Sequence, residues 1–151
     1  MLRERLSGDL KAAISDDDAE RIATLRLICA AVKDRDLAAQ RSDNIQGVSD
    51  GDILAILTKM IKQREASVSG YEESGRLDLA EQERNEISII REYLPRPLTE
   101  REVSQAIACA IEHTGARSVR DINRVMAHLK AKHTGRMDFV QACSELKNAF
   151  R

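Results

Sequence analysis

Apolar residues recur every three or four positions in each long segment of this sequence, and no segment alternates apolar and polar residues convincingly. Leu2, Leu6 and Leu10 follow this spacing near the start of the chain, and Val125 and Leu129 follow it near the end. A period near 3.6 residues is typical of a helix that buries one face, whereas a half-buried strand has a period of two. The sequence therefore predicts an all-α protein without a β-sheet.

The two prolines of the chain, Pro95 and Pro97, lie two residues apart. Proline lacks the backbone N–H that continues a helix, and it disfavours the α conformation of the residue before it. We therefore predict a domain junction here, with a multi-helical N-terminal domain over residues 1–95 and a small three-helix C-terminal domain over residues 96–151. Tyr93 and Leu94 end the helix before the prolines and are expected to pack at this junction.

Local signals place the first helices of the N-terminal part. The carboxylates of residues 16–18 precede the second helix, where they can cap its backbone N–H groups and suit the positive end of its dipole. Residues 41–47 are polar and rich in turn formers, so we expect a loop there. The third helix is expected to begin at Ser49 or Asp50.

Glycines mark the end of the third helix. Gly70 and Gly75 are expected to bracket a break or a frayed helix end, after which a fourth helix runs from about residue 76 to residue 94. Its carboxylates alternate with arginines, which is typical of a solvated face rather than a catalytic pair. These carboxylates are Glu81, Glu83, Glu86 and Glu92. The residues expected to be buried are Leu77, Ala80, Ile87, Ile90 and Leu94.

The C-terminal part carries three sets of helix boundaries. Thr99 and Glu102 have the spacing of a capping box, and Gly115 can end the helix that this box begins. The next helix is expected to start at Ser118 and to end at Gly135. The residues expected to face inward are Ile122, Val125, Met126 and Leu129 in that helix, and Val140, Cys143, Leu146 and Phe150 in the last one.

The two parts have opposite charge. Residues 1–95 hold 14 basic and 19 acidic residues, a net charge of −5, whereas residues 96–151 hold 10 and 6, a net charge of +4. On a helical wheel, Arg120 and Arg124 point away from the apolar stripe, and His128 and Lys132 continue the same row. Long cations in such a row can neutralise successive phosphates of a nucleic acid, although a charged face can also simply keep a domain soluble. The candidate RNA-binding residues are Arg117, Arg120, Arg124, Lys130, Lys132 and Arg136.

The sequence contains no pattern that predicts a catalytic centre, a metal site or a cofactor site. His128 and His133 are five residues apart, which places them on different sides of a helix, and His113 belongs to another predicted helix. The three cysteines have no C-x-x-C spacing and are expected to be buried and reduced. Tyr71, Tyr93, Phe139 and Phe150 are the only aromatic residues besides histidine, which argues against an aromatic platform for stacking bases.

Two kinds of apolar segment bear on the expected location of the protein. No apolar run approaches the length of about 18 residues that a membrane span needs. The N-terminal residues lack the apolar core of a signal peptide. We therefore expect a cytoplasmic protein that does not engage a membrane.

The segment from Lys62 to Pro95 resembles the central signature of the YqeY-like family, the stand-alone GatB/YqeY domain. The match continues at Leu98-Thr99, at Val125-Met126 and at Gly135. The residues that carry it are Lys62-Gln63-Arg64, Ser67, Tyr71, Arg76-Leu77-Asp78-Leu79-Ala80, Glu83, Glu86-Ile87, Ile90, Tyr93-Leu94-Pro95 and Glu102. The chain departs from the family at Asn123, where a glycine often precedes the basic residue and Val-Met. The resemblance implies an all-helical protein with a small three-helix C-terminal domain.

The resemblance also implies a function. Related sequence forms the tail of the GatB subunit of tRNA-dependent amidotransferases, and that tail contacts tRNA while other domains carry the chemistry. We therefore expect a non-catalytic RNA-binding accessory protein with tRNA as its ligand. The alternative is a helical protein–protein adaptor for an amidotransferase or another translation enzyme. The label of a glutamine-dependent carbon–nitrogen ligase would come by inheritance from the family, and we do not assign that activity to these residues.

Overall fold

The structure is a computed structural model that describes residues 1–42 and 47–150. Within these residues the chain forms seven α-helices and no β-strand, so the predicted all-α class is confirmed. A short 3-10 turn, Val119–Asp121, lies between α5 and α6. The helices are Leu2–Ser15 (α1), Ala19–Gln40 (α2), Asp50–Glu73 (α3), Leu77–Arg91 (α4), Glu100–Thr114 (α5), Ile122–His133 (α6) and Phe139–Ala149 (α7). The predicted loop at residues 41–47 falls largely on residues 43–46, outside the described residues.

The chain forms two compact units, residues 1–94 and residues 95–151. In the first unit, α3 and α4 form a helical hairpin that packs against α1 and α2. The buried core of this unit consists of Leu6, Ala13, Leu25, Ile28, Val32, Ile53, Leu57, Ile61, Ile87, Ile90 and Tyr93. These positions follow the helical period of the sequence, because each helix turns one apolar stripe toward the others.

Side-chain caps start the helices where the sequence predicts them. The carboxylate of Asp18 accepts a hydrogen bond of 3.2 Å from the N–H of Arg21 at the start of α2. At the start of α3, the hydroxyl of Ser49 accepts from the N–H of Asp52 at 3.2 Å, and the Asp52 carboxylate accepts from the N–H of Ser49 at 3.1 Å. These bonds satisfy backbone donors that have no partner within the helix.

The helix α3 ends at Glu73, between Gly70 and Gly75 as expected, and Gly75, with φ of +75°, lies in the turn. Two other predictions about the hairpin are wrong. Leu77 is 66% exposed, because it is the first residue of α4 and lies beside the turn, where little of α3 is available to cover it. The helix α4 ends at Arg91 rather than at residue 94.

The carboxylates of α4 do not all lie on a solvated face. Arg64 of α3 forms an ion pair of 3.2 Å with Glu83 and a second one with Glu86. All three side chains are half-buried or deeper, and burial raises the pKa of Glu86. Glu86 was predicted to be solvated, and its burial follows from the antiparallel hairpin, which brings α3 over this side of α4. The pairing compensates part of the cost of taking these charges out of water.

In the second unit, α5, α6 and α7 pack against one another. Its buried core consists of Ile107, Ala110, Ala116, Ile122, Val125, Leu129, Met137, Ala142 and Leu146. Gly115 ends α5 with φ of +67°, as predicted. The prediction for Val140 is wrong, since this residue is 71% exposed and Ala142 is buried instead. Val140 is two positions from Ala142, and a separation of about 200° places the two on opposite sides of α7.

No helix within residues 1–42 and 47–150 has the length and the apolar character needed to cross a lipid bilayer.

Candidate nucleic-acid interface

The helix α6 carries three of the six candidate cations, and the residues before it set its start. The carboxylate of Asp121 accepts hydrogen bonds from the backbone N–H groups of Arg117 at 2.9 Å and Ser118 at 3.3 Å. These bonds, with the charge of Arg124, lower the pKa of Asp121. Asp121 therefore remains ionised at neutral pH and holds the segment that leads into α6.

Two cations and a histidine form a row along α6. Arg124, His128 and Lys132 are spaced by four residues, so they follow one another along the helix. The buried stripe of Ile122, Val125 and Leu129 lies opposite Arg124, and the row drifts toward the edge of that stripe at Lys132. The side chain of Arg124 is 60% exposed and forms an ion pair of 2.9 Å with Asp121. This pair holds the guanidinium near the helix surface and leaves most of it open to solvent.

The remaining candidate residues lie off this row. Arg117 and Arg120 are exposed in the connection between α5 and α6, and Arg120 belongs to the 3-10 turn. Lys130 is exposed on α6 but is two positions from Lys132, which places it on another side of the helix. Arg136 lies beyond the end of α6, and its Nε donates a hydrogen bond of 3.0 Å to the carbonyl oxygen of Arg96.

A cleft of about 300 Å³ opens between α5 and α6 in the second unit. Lys132 and Arg136 both line it, so the structure brings together these two of the six candidate residues. Gln105 and Cys109 of α5 line the opposite side, and Leu98 and Ala106 contribute apolar surface. The cleft is a feature that spacing along the sequence did not reveal, because its two walls belong to different helices.

Histidines meet at this cleft. The rings of His113 and His128 stack with centroids 4.6 Å apart and planes inclined by 25°. His128 and His133 both line the cleft, although their spacing suggested different sides of a helix. His133 is the last residue of α6, where the chain turns toward Arg136 and closes the end of the cleft. Burial and the nearby charge of Lys132 lower the pKa of His133.

The cysteines differ from the prediction in one case. Cys109 is exposed at the cleft, whereas Cys29 and Cys143 are half-buried among apolar side chains. Burial raises the pKa of the Cys29 thiol, so this thiol is a weak nucleophile. Cys109 lies two positions from Ile107 and one from Ala110, so it faces outward from the core stripe of α5. In the part of the chain that the structure describes, no group of three metal-ligating side chains converges.

These features define a small all-helical protein whose second unit carries a cationic row and a cationic cleft. The chain belongs to the YqeY-like family: the sequence model of that family, described as "Yqey-like protein", matches residues 3–150. The family resemblance of the segment between Lys62 and Pro95 is thereby confirmed.

Several curated fungal proteins are similar to this chain. The protein named "Altered inheritance of mitochondria protein 41, mitochondrial" from Lachancea thermotolerans is 33% identical over 89 residues, which cover 59% of this chain and 46% of the relative. The protein of that name from Meyerozyma guilliermondii is 34% identical over 89 residues, covering 59% and 44%. The one from Pyrenophora tritici-repentis is 26% identical over 133 residues, covering 85% and 71%. The matched region spans about half the length of the first two relatives.

The names of these relatives contradict one prediction. We expected a cytoplasmic protein from the composition of the N-terminal residues, whereas the matched relatives are named as mitochondrial proteins. The expectation was wrong because it took the lack of an apolar signal core as evidence for the cytoplasm, and that criterion detects only secretory signals.

Proposed function

We propose that this protein is a small RNA-binding accessory protein and that its ligand is tRNA. The second unit binds the RNA through phosphate contacts made by the cations around α6. The binding residues are the six candidates, Arg117, Arg120, Arg124, Lys130, Lys132 and Arg136.

The observation that carries the proposal is the arrangement of charge on α6. Arg124 lies opposite the buried apolar stripe of α6 and Lys132 lies at the edge of that stripe, and both side chains are exposed, so they are available to a partner without disturbing the core. The last 57 residues, 95–151, hold this charge on a unit with a net charge of +4, while residues 1–94 have a net charge of −5. A cationic unit attracts a polyanion by releasing the counterions condensed on it.

The aromatic residues of the second unit favour contacts to phosphates over contacts to bases. Its two phenylalanines, Phe139 and Phe150, pack against the apolar core. They are therefore not available as a platform on which unpaired bases could stack. Phosphate contacts position a protein on a nucleic acid without reading its sequence, so we expect weak sequence preference. The kinship of the family with the tRNA-contacting tail of GatB supports tRNA over other RNAs.

The experiment that tests this proposal measures tRNA binding to the full chain as a function of salt. In the test variant, four exposed cations of the second unit become neutral: Arg117→Gln, Arg120→Gln, Arg124→Gln and Lys130→Gln. Glutamine is preferable to glutamate here, because a carboxylate at position 124 would lie beside Asp121 and repel it. The matched control removes the same charge from exposed positions of the first unit: Lys11→Gln, Arg26→Gln, Arg35→Gln and Lys59→Gln.

We expect the wild-type protein and the control to bind tRNA with an affinity that falls as salt rises. The test variant should lose most of this binding while its far-UV circular dichroism remains that of the wild type. The proposal fails if the wild-type protein shows no tRNA binding at low salt, or if the two variants bind equally well. In that case a protein–protein adaptor acting through the acidic first unit becomes the better explanation.

A further inference from the structure

The cleft between α5 and α6 contains two cationic side chains, Lys132 and Arg136. Within the described residues, the ammonium group of Lys132 has no hydrogen bond or ion pair. Arg136 donates its Nε to the carbonyl oxygen of Arg96, and its two terminal nitrogens have no such partner among these residues. That bond fixes the guanidinium at the rim of the cleft and leaves its two terminal nitrogens open to a ligand.

The carboxylate that lines the cleft is already neutralised. Nη2 of Arg96 donates to both oxygens of Glu102, at 3.1 and 3.0 Å, and the hydroxyl of Thr99 donates to the same carboxylate at 3.2 Å. The hydrogen bonds from Arg96 lower the pKa of Glu102, so the pair stays ionised at neutral pH. Because Glu102 is paired with Arg96, it does not neutralise the charges of Lys132 and Arg136.

Two histidine rings add hydrogen-bonding capacity. The Nδ1 atom of His133 is buried and has no hydrogen-bond partner among the described residues, which is costly for a polar atom. The ring of His128 is held in place by its stacking on His113. An accessible N–H of each ring can donate a hydrogen bond to an anion, whereas the buried Nδ1 of His133 is not accessible to a ligand.

Compensation of the helix dipole explains only part of this arrangement. Lys132 and His133 lie in the last turn of α6, where cations offset the partial negative charge of the C-terminus. Arg136 lies beyond the helix and is oriented by Arg96, and His128 lies more than one turn before the end. Neither Arg136 nor His128 is needed to offset the charge at the end of the helix, yet both line the cleft.

We propose that this cleft is a binding site for one phosphate group of a nucleotide, held by Lys132, Arg136 and the two histidines. Lysine supplies a point charge, and arginine supplies a planar pair of donors that fits phosphate oxygens. A volume of about 300 Å³ exceeds that of a phosphate ion and leaves space for the attached sugar against Leu98 and Ala106. The phosphate belongs either to a free nucleoside monophosphate or to RNA, and the second case rests on the function proposed above.

The test is a titration of the full chain with adenosine monophosphate and, separately, with inorganic phosphate. The chain has three histidines, so their ring protons give few signals in a proton NMR spectrum, and single His→Gln variants assign them. We expect saturable shifts of the His128 and His133 signals. The variant Lys132→Gln should weaken the affinity for adenosine monophosphate about tenfold, as the loss of one charge-assisted hydrogen bond predicts. The control Lys147→Gln, on the exposed side of α7, should bind like the wild type.

Three outcomes separate this inference from the proposed function. Binding of adenosine monophosphate without binding of tRNA supports the cleft and contradicts the RNA-binding function. Binding of tRNA that Lys132→Gln does not weaken, with no histidine shift in either titration, contradicts the cleft and leaves the RNA-binding function intact. Equal losses in Lys132→Gln and Lys147→Gln also contradict the cleft, because they would show attraction by net charge rather than by a formed site.

Discussion

The hydroxyl of Tyr93 donates a hydrogen bond of 2.6 Å to the carboxylate of Asp9, which precedes it by 84 residues. Tyr93 is 3% exposed, and the guanidinium carbon of Arg5 lies 4.7 Å from the centre of its ring. The next residue back, Glu92, accepts hydrogen bonds of 2.8 and 2.9 Å from both terminal nitrogens of Arg21. These contacts attach the end of α4 to α1 and α2, and so close the first unit.

Removal of the Tyr93 hydroxyl should destabilise the first unit. We expect Tyr93→Phe to lower the free energy of unfolding by about 1 kcal/mol, because a hydrogen bond to a charged but partly exposed acceptor is lost. Urea denaturation followed by circular dichroism measures this. Tyr71→Phe is the matched control, since Tyr71 makes no hydroxyl hydrogen bond to any described residue, and it should change the stability by less than about 0.5 kcal/mol. Equal effects of the two substitutions would show that the bond to Asp9 contributes nothing.

Stability at acid pH should depend on Asp36. Its carboxylate accepts hydrogen bonds from Arg3, at 2.6 and 3.0 Å, and from the N–H of Val48 at 2.9 Å. The Arg3 hydrogen bonds, with the Val48 N–H, lower the pKa of Asp36 from 3.8 to about 2. The unfolded chain therefore takes up a proton at higher pH than the folded chain, and the stabilisation is present above pH 3.8 and is lost as the pH falls toward 2.

The variant Asp36→Asn should accordingly show a smaller loss of stability than the wild type between pH 4 and pH 2. The denaturation midpoint at several pH values in this range is the measurement. Asp34→Asn, two residues earlier on α2, lacks the Arg3 contact and serves as the control, which should follow the wild-type pH dependence. An Asp36 variant with an unchanged profile would contradict the prediction.

Truncation of a side chain should cost much more stability on the buried side of α7 than on its exposed side. Leu146 is fully buried, so we expect Leu146→Ala to cost about 2–5 kcal/mol through lost apolar burial and a residual cavity. Val140 is largely exposed on the other side, and Val140→Ala should change the stability by less than about 0.5 kcal/mol. Thermal or urea denaturation compares the two, and a costly Val140→Ala would indicate that a partner or another copy covers this side of the helix.

Single lysine substitutions on α6 should weaken tRNA binding to different degrees. Lys132 lies in the row with Arg124 and lines the cleft, whereas Lys130 projects from another side of the helix. A phosphate chain that follows the row contacts Lys132 directly, so Lys132→Gln should reduce the slope of log affinity against log salt by about one. The reduction for Lys130→Gln should be smaller. Equal reductions would indicate a diffuse attraction without a preferred path along α6.

Local features of the sequence predicted most of the secondary structure. Several of these features act over only a few residues, so they can be recognised without the tertiary structure. They are the helical period, the caps at Asp18, Ser49 and Thr99, and the left-handed glycine at position 115. The row of Arg124, His128 and Lys132 is equally local. The all-α class and the family follow from the same short-range patterns.

Contacts between distant residues were decided only by the tertiary structure. The bond between Tyr93 and Asp9, the burial of Glu86 by Arg64, and the cleft with walls from α5 and α6 all join segments far apart in the chain. The exposure of Leu77 and Val140 has the same origin, because the period of a helix tells which residues share a side but not which side another helix covers. The sequence by itself determined the helices and their charge, and packing decided which charged side chains come into contact.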